Sequence, residues 1–198
     1  MSRKRAASSP DSSSTVENLR HSFAHLLAAA VKRLYPSAQF GVGPSIEDGF
    51  YYDFALPAEA SGEGGAAFIS DNDLPKIEKE MRKIAKGNHK FWKEMWPADK
   101  AYGHFEKENQ PYKLELIDEL SKMGSTSSKT TKVRQTLKAK SSKLTATVGM
   151  VHTGDVFLDL CRGGHIKNTK DFPLDAFKLT KVAGAYWRGS EKNPMLTR

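Results

Sequence analysis

The only cysteine of the chain sits in the heptapeptide Asp-Leu-Cys-Arg-Gly-Gly-His at residues 159–165, with a histidine four positions on and two glycines between. A second pair at the same spacing, His21 and His25, stands near the start in the run His-Ser-Phe-Ala-His. Two such pairs, one early and one late, constrain the fold more than any other feature. They point to a chain that closes on itself so that both pairs border one small pocket.

The first pair lies on a helix. Ser14 or Thr15 can cap a helix over residues 15–35, with Glu17 in its first turn and Pro36 preventing continuation. Leu19, Phe23, Leu26, Leu27, Ala30, Val31 and Leu34 recur at helical spacing and form one apolar stripe. His21 and His25 fall on the opposite side, beside Ala28 and Ala29, whose small side chains leave room for a ligand. An ordinary solvent-facing pair of histidines would show the same pattern. The second pair follows a β-hairpin, with strands over 148–151 and 156–160 and a turn over 152–155. Its second strand delivers Cys161, and Gly163 and Gly164 permit the positive φ that would swing His165 back beside it.

Three histidines and a cysteine can supply tetrahedral Zn²⁺ ligands, as a closed structural site or, with one position left to water, a hydrolytic one. Without metal, near-neutral histidines can orient and deprotonate a water while the thiol shapes the pocket. A Cys–His nucleophile is a third option, although Cys161 sits in no protease-like setting. Spacing alone leaves these open, together with a purely structural cluster.

Elsewhere, residues 50–54 read as a strand in which Tyr51 and Tyr52 alternate, so only one of them faces the pocket. Residues 73–86 form a second amphipathic helix through Leu74, Ile77, Met81 and Ile84, ended by Gly87. A strand over 89–95 and a short helix over 97–108 follow, while 112–117 fits either period. Residues 57–66 read as a surface connection, and the basic, Ser-rich residues 1–16 as a disordered tail. No acidic residue occurs between Met123 and Gly154, and 123–147 reads as a basic, flexible insertion carrying Lys129, Lys132, Arg134, Lys138, Lys140 and Lys143. With 31 Lys+Arg against 23 Asp+Glu, the net charge of +8 suggests a polyanionic partner, nucleic acid foremost. A single cysteine excludes an internal disulfide framework and points to a reducing, cytoplasmic setting. No run approaches the ~18 apolar residues of a membrane span.

His21-x-x-x-His25 followed by Cys161-x-x-x-His165 resembles the HxxxH…CxxxH signature of the threonyl/alanyl-tRNA synthetase editing superfamily. Arg20-His21-Ser22, Gly43-Pro44, Glu47-Asp48-Gly49-Phe50-Tyr51-Tyr52-Asp53, Pro111-Tyr112-Lys113 and Ala183-Gly184-Ala185-Tyr186-Trp187-Arg188-Gly189 narrow the resemblance to its bacterial threonyl type. The resemblance implies an α+β domain over residues 17–198, with helices packed on an antiparallel sheet. It implies hydrolysis of Ser-tRNA(Thr), the acceptor end of tRNA(Thr) carrying the wrong amino acid. Carried over by motif, His21, His25, Cys161 and His165 form the core of the pocket, and Lys113 and Asp159 position substrate and water. Lys113 is expected to steady the oxyanion, and Tyr51 or Tyr52, with Arg162, to contact substrate.

The bacterial threonyl type implies no required metal. Alanyl-type relatives hold zinc through residues matching His21, His25, Cys161 and His165, so a zinc-dependent alanyl-type editing hydrolase is the alternative, and a non-catalytic tRNA-binding fragment a further one. Three departures stand out. Gly164 occupies the place of the family's usual proline, the 123–147 stretch matches poorly, and neither the small N-terminal domain nor a class II aminoacylation motif is present. The expectation is therefore the editing portion of a threonyl-tRNA synthetase, or a free-standing trans-editing protein.

Overall fold

Helix α1 (Ser12–Leu34) runs through the middle of the protein, not across its surface. This is a computed structural model, and it describes residues 12–57, 69–123 and 146–198. The helix begins inside the stretch expected to be disordered, so that expectation fails for residues 12–16. Residues 1–11 of the tail, 58–66 of the predicted connection and 124–145 of the basic stretch lie outside the described residues.

Every residue from 22 to 31 is buried, so α1 has no open side over that length. Ala28 and Ala29 do not leave room for a ligand; at 0% exposure they let neighbouring elements approach the helix backbone closely. Helix α2 (Leu74–Lys86) packs along α1 and buries Ile77, Met81 and Ile84, the stripe its sequence predicts. Pro75 in its first turn and Gly87 at its end fit the usual asymmetry of helix termini.

The site rests on a three-stranded antiparallel sheet, β5 (Phe91–Pro97), β6 (Thr147–Thr153) and β7 (Phe157–Leu160), with β6 in the centre. The predicted hairpin is β6–β7, paired from Met150 opposite Leu160 to Thr153 opposite Phe157. Strand alternation then sorts β7. Leu158 and Leu160 pack with Val148 and Met150 in the cluster built on α3 (Ala98–Lys107) and α4 (Pro111–Met123). Phe157 and Asp159 point the other way, Phe157 into the α1 core and Asp159 toward the histidines. The stretch that fitted either period, 112–117, is helical within α4, where Leu114, Ile117 and Leu120 share the face turned to β6.

The predicted 50–54 strand is two short pieces. Gly49–Phe50 (β3) pairs with Ser45–Ile46 (β2), while Phe54–Ala55 (β4) lies between Gln39–Phe40 (β1) and Met195–Thr197 (β9), with Gly184–Tyr186 (β8) on the outer edge. All strand pairings among the described residues are antiparallel. Helices packed on antiparallel sheets make the fold α+β, as the resemblance implies. Among the described residues no helix is long and apolar enough to cross a membrane.

Candidate functional site

Two elements bring the predicted pairs together. His21 and His25 extend from α1 one turn apart, and β7 ends against them, delivering Cys161 from a position 140 residues further on. Cys161 is tied to β6 through its backbone N–H, which donates to the Gly149 carbonyl at 2.9 Å. Gly163 and Gly164 then take φ of +101° and +87°, conformations that L side chains rarely adopt. The chain reverses, and His165 returns to place Nε2 3.3 Å from Cys161 Sγ. Gly164 lies in a conformation closed to proline.

Cys161 Sγ is also 3.5 Å from His21 Nε2 and receives the Gly163 N–H at 3.3 Å. The His165 ring centroid stands 4.2 Å from those of both His21 and His25, and its face stacks on Phe91. The four groups could hold a metal ion, since one donor atom from each falls within 4.8 Å of the others. The two sulfur–nitrogen separations fit the ~3.5 Å edge expected between ligands on one tetrahedral zinc. Buried Nδ1 of His25 lacks a hydrogen-bond partner among the described residues.

A second, fully buried layer lies behind the histidines. Lys113, 2% exposed, extends from α4 to form an ion pair with Asp159, 3% exposed. The same ammonium donates to the Gly41 carbonyl at 2.7 Å and to the Tyr52 hydroxyl at 2.9 Å. Tyr52 in turn donates to Asp159 Oδ2 at 2.7 Å, and His25 Nε2 stands 3.6 Å from that oxygen. Three oxygens therefore already surround the Lys113 ammonium.

Burial dominates the electrostatics. It pushes His21 below its ordinary value, against the pull of the Asp159 carboxylate and the backbone of Gly164 and Gly163. His25 falls well below, through burial and then through His21 and Lys113. His165 is pushed down to about 2 by burial, with His25 and His21 adding to it. Burial drives the Cys161 thiol up to about 11, the Gly163 N–H opposing. At neutral pH the cluster is therefore three uncharged imidazoles and a protonated thiol. A thiol of that kind is a poor nucleophile, which weighs against the Cys–His option.

The cluster opens onto a cleft of about 620 Å³ bordered by Glu17, Val42, Pro44, Ser45 and Arg162, with Lys113 and Asp159 deep in its wall. Of the two tyrosines, Tyr52 joins the buried network, whereas Tyr51 lies under the Arg198 guanidinium, 3.9 Å from the ring centroid. Arg162 is exposed at the rim, and its carbonyl accepts from Lys93 Nζ at 2.7 Å. Sequence reasoning passed over Gly149, whose φ is not positive but where a Cβ would lie 2.5 Å from the Cys161 carbonyl and 2.9 Å from Lys93 Cε. An isolated glycine inside a strand pattern was the available signal.

The family described as the threonyl and alanyl tRNA synthetase second additional domain matches residues 148–198. Over 183 residues the chain is 44% identical to a threonine–tRNA ligase of Chelativorans sp., covering 92% of this chain and 23% of the relative. Similar matches are the threonine–tRNA ligases of Acetivibrio thermocellus, 42% identical over 179 residues (90% of this chain, 23% of the relative), and Alkalilimnicola ehrlichii, 40% over 183 (92% and 23%). The chain thus spans about a quarter of the length of the curated relatives it matches.

Proposed function

We propose that this chain, similar to threonine–tRNA ligases over about nine-tenths of its length and to the threonyl and alanyl tRNA synthetase second additional domain over residues 148–198, hydrolyses the ester of tRNA(Thr) mischarged with serine. The single observation that carries this reading is the clustering of His21, His25, Cys161 and His165, the first three lining an open cleft, in a chain resembling threonine–tRNA ligases. The chemical need is plain. A synthetic site selecting threonine gains only about 1–3 kcal/mol from one methyl group, so serine slips through and must be removed elsewhere.

In this reading an ordered water attacks the aminoacyl ester carbonyl. His21 is the general base: it lines the cleft, is only half-buried, and its basicity is lowered less drastically than that of the other two histidines. His25 stands in the wall as a neutral imidazole, and His165 holds the Cys161 thiol from behind it. With the Asp159 carboxylate, the Gly41 carbonyl and the Tyr52 hydroxyl around its ammonium, Lys113 is read as positioning Asp159 in place of the expected oxyanion role. Lys113 and Tyr52 fix the orientation of Asp159, which faces the cleft where the substrate's ammonium group would enter. Arg162 at the rim faces the RNA backbone. Zn²⁺, if bound, would be held by His21, His25, Cys161 and His165, and would supply Lewis acidity and a more acidic water.

The test is release of serine from Ser-tRNA(Thr), with and without chelator, beside Ser-tRNA(Ala). Chelator-resistant hydrolysis of Ser-tRNA(Thr) is the expected result. Activity that needs stoichiometric zinc and prefers Ser-tRNA(Ala) would favour the alanyl-type reading, which the donor set supports. Release no faster than spontaneous hydrolysis of either tRNA would remove both.

A further inference from the structure

Ser22 stands between the two histidines of the first pair, fully buried, and its hydroxyl meets three groups at once. Its Oγ lies 2.7 Å from the Asn18 carbonyl one turn earlier in α1, 3.0 Å from the Ile166 backbone nitrogen, and 3.2 Å from His165 Nδ1. Two of these contacts have a fixed direction. A carbonyl only accepts, so Asn18 takes the hydroxyl's one hydrogen. An amide only donates, so Ile166 occupies one of the two lone pairs. What remains for the imidazole is the second lone pair, and a nitrogen facing a lone pair has to carry the hydrogen.

We infer that Ser22 holds His165 as the Nδ1–H tautomer, and so is the positioning residue that turns a bare Nε2 lone pair toward Cys161. The ring has no freedom to trade its nitrogens, because Phe91 stacks on its face and His21 and His25 flank it. Nε2 stands 3.3 Å from Cys161 Sγ, where its lone pair accepts the hydrogen of the protonated thiol. The same lone pair is the one this residue would give to a metal ion, with Ser22 as the oriented outer partner. One hydroxyl in the middle of α1 therefore sets the polarity of the contact inside the Cys161–His165 pair. The tautomer itself is independent of the reaction; only its effect on rate rests on the deacylation reading.

The test is nitrogen-15 NMR of the full chain with labelled histidine, in chelator, for wild type, Ser22→Ala, Ser22→Thr and His165→Asn. His165→Asn assigns the signal. Wild type and Ser22→Thr are expected to show Nδ1 protonated and Nε2 bare, and Ser22→Ala to shift His165 toward the Nε2–H form common for imidazole in water. Deacylation of Ser-tRNA(Thr) is expected to fall at least tenfold in kcat for Ser22→Ala, with KM little changed, and to recover in Ser22→Thr. A wild-type His165 protonated on Nε2 overturns the inference, as does a folded Ser22→Ala that keeps the Nδ1–H form. The expected tautomers in a chain that hydrolyses no seryl ester would uphold it and count against the deacylation reading alone.

Discussion

Lys113 and Asp159 show how a residue's environment decides what a mutation can report. Each is buried and each is the other's charge partner, so Lys113→Ala leaves a carboxylate stranded in the interior. We expect that change to cost about 3–5 kcal/mol of stability by denaturant titration. Lys113→Met with Asp159→Asn, which removes both charges, should recover a substantial part of the loss. A single variant as stable as wild type would contradict the burial of the pair. Cys161 gives a second residue-scale prediction. With its thiol held up to about 11, alkylation in chelator should be slower at neutral pH than for a free cysteine, and should rise steeply only in alkaline solution. Fast labelling at neutral pH would contradict the protonated thiol. His165 contributes to the pH dependence. Its folded value, about 2, lies far below its ordinary 6.5, so the unfolded chain takes up the proton first. In chelator, wild type should therefore lose stability relative to His165→Asn as pH falls below 6.5, and a constant difference between the two proteins would contradict this.

At the scale of elements, the periodic signals and the aperiodic ones fared differently. The α2 stripe, the β6–β7 hairpin and the glycine reversal after Cys161 were legible because each is a local rule: helical spacing, alternation, positive φ. The enclosure of α1 was not. A helix packed on every side through alanine, serine and histidine shows only a modest apolar stripe, since small and polar residues do not announce burial. Nor did anything along the chain mark Lys113 as buried, because its compensating carboxylate stands 46 residues away on another element. Closeness around α1 is testable. Ala29→Leu should cost about 1–3 kcal/mol or more through overpacking, where a surface alanine would accept leucine without loss. Gly149→Ala should weaken the anchoring of the Cys161 loop to β6, read as slower deacylation at nearly unchanged helix content by circular dichroism.

For the whole molecule, the order of elements explains why chemistry drawn from both ends of the sequence can share one cleft. A central helix brings two histidines, a hairpin brings the thiol and the third histidine, and α4 braces the carboxylate from behind. The measurement that tests this most directly is single-turnover hydrolysis of Ser-tRNA(Thr) and Thr-tRNA(Thr) by wild type and by His21→Asn. Wild type should cleave the seryl ester faster by on the order of 10–100-fold, and His21→Asn should lose about 10²–10⁴-fold of that rate while remaining folded. Equal rates on the two esters, or an unaffected His21→Asn, would contradict the assignment of this cleft to editing.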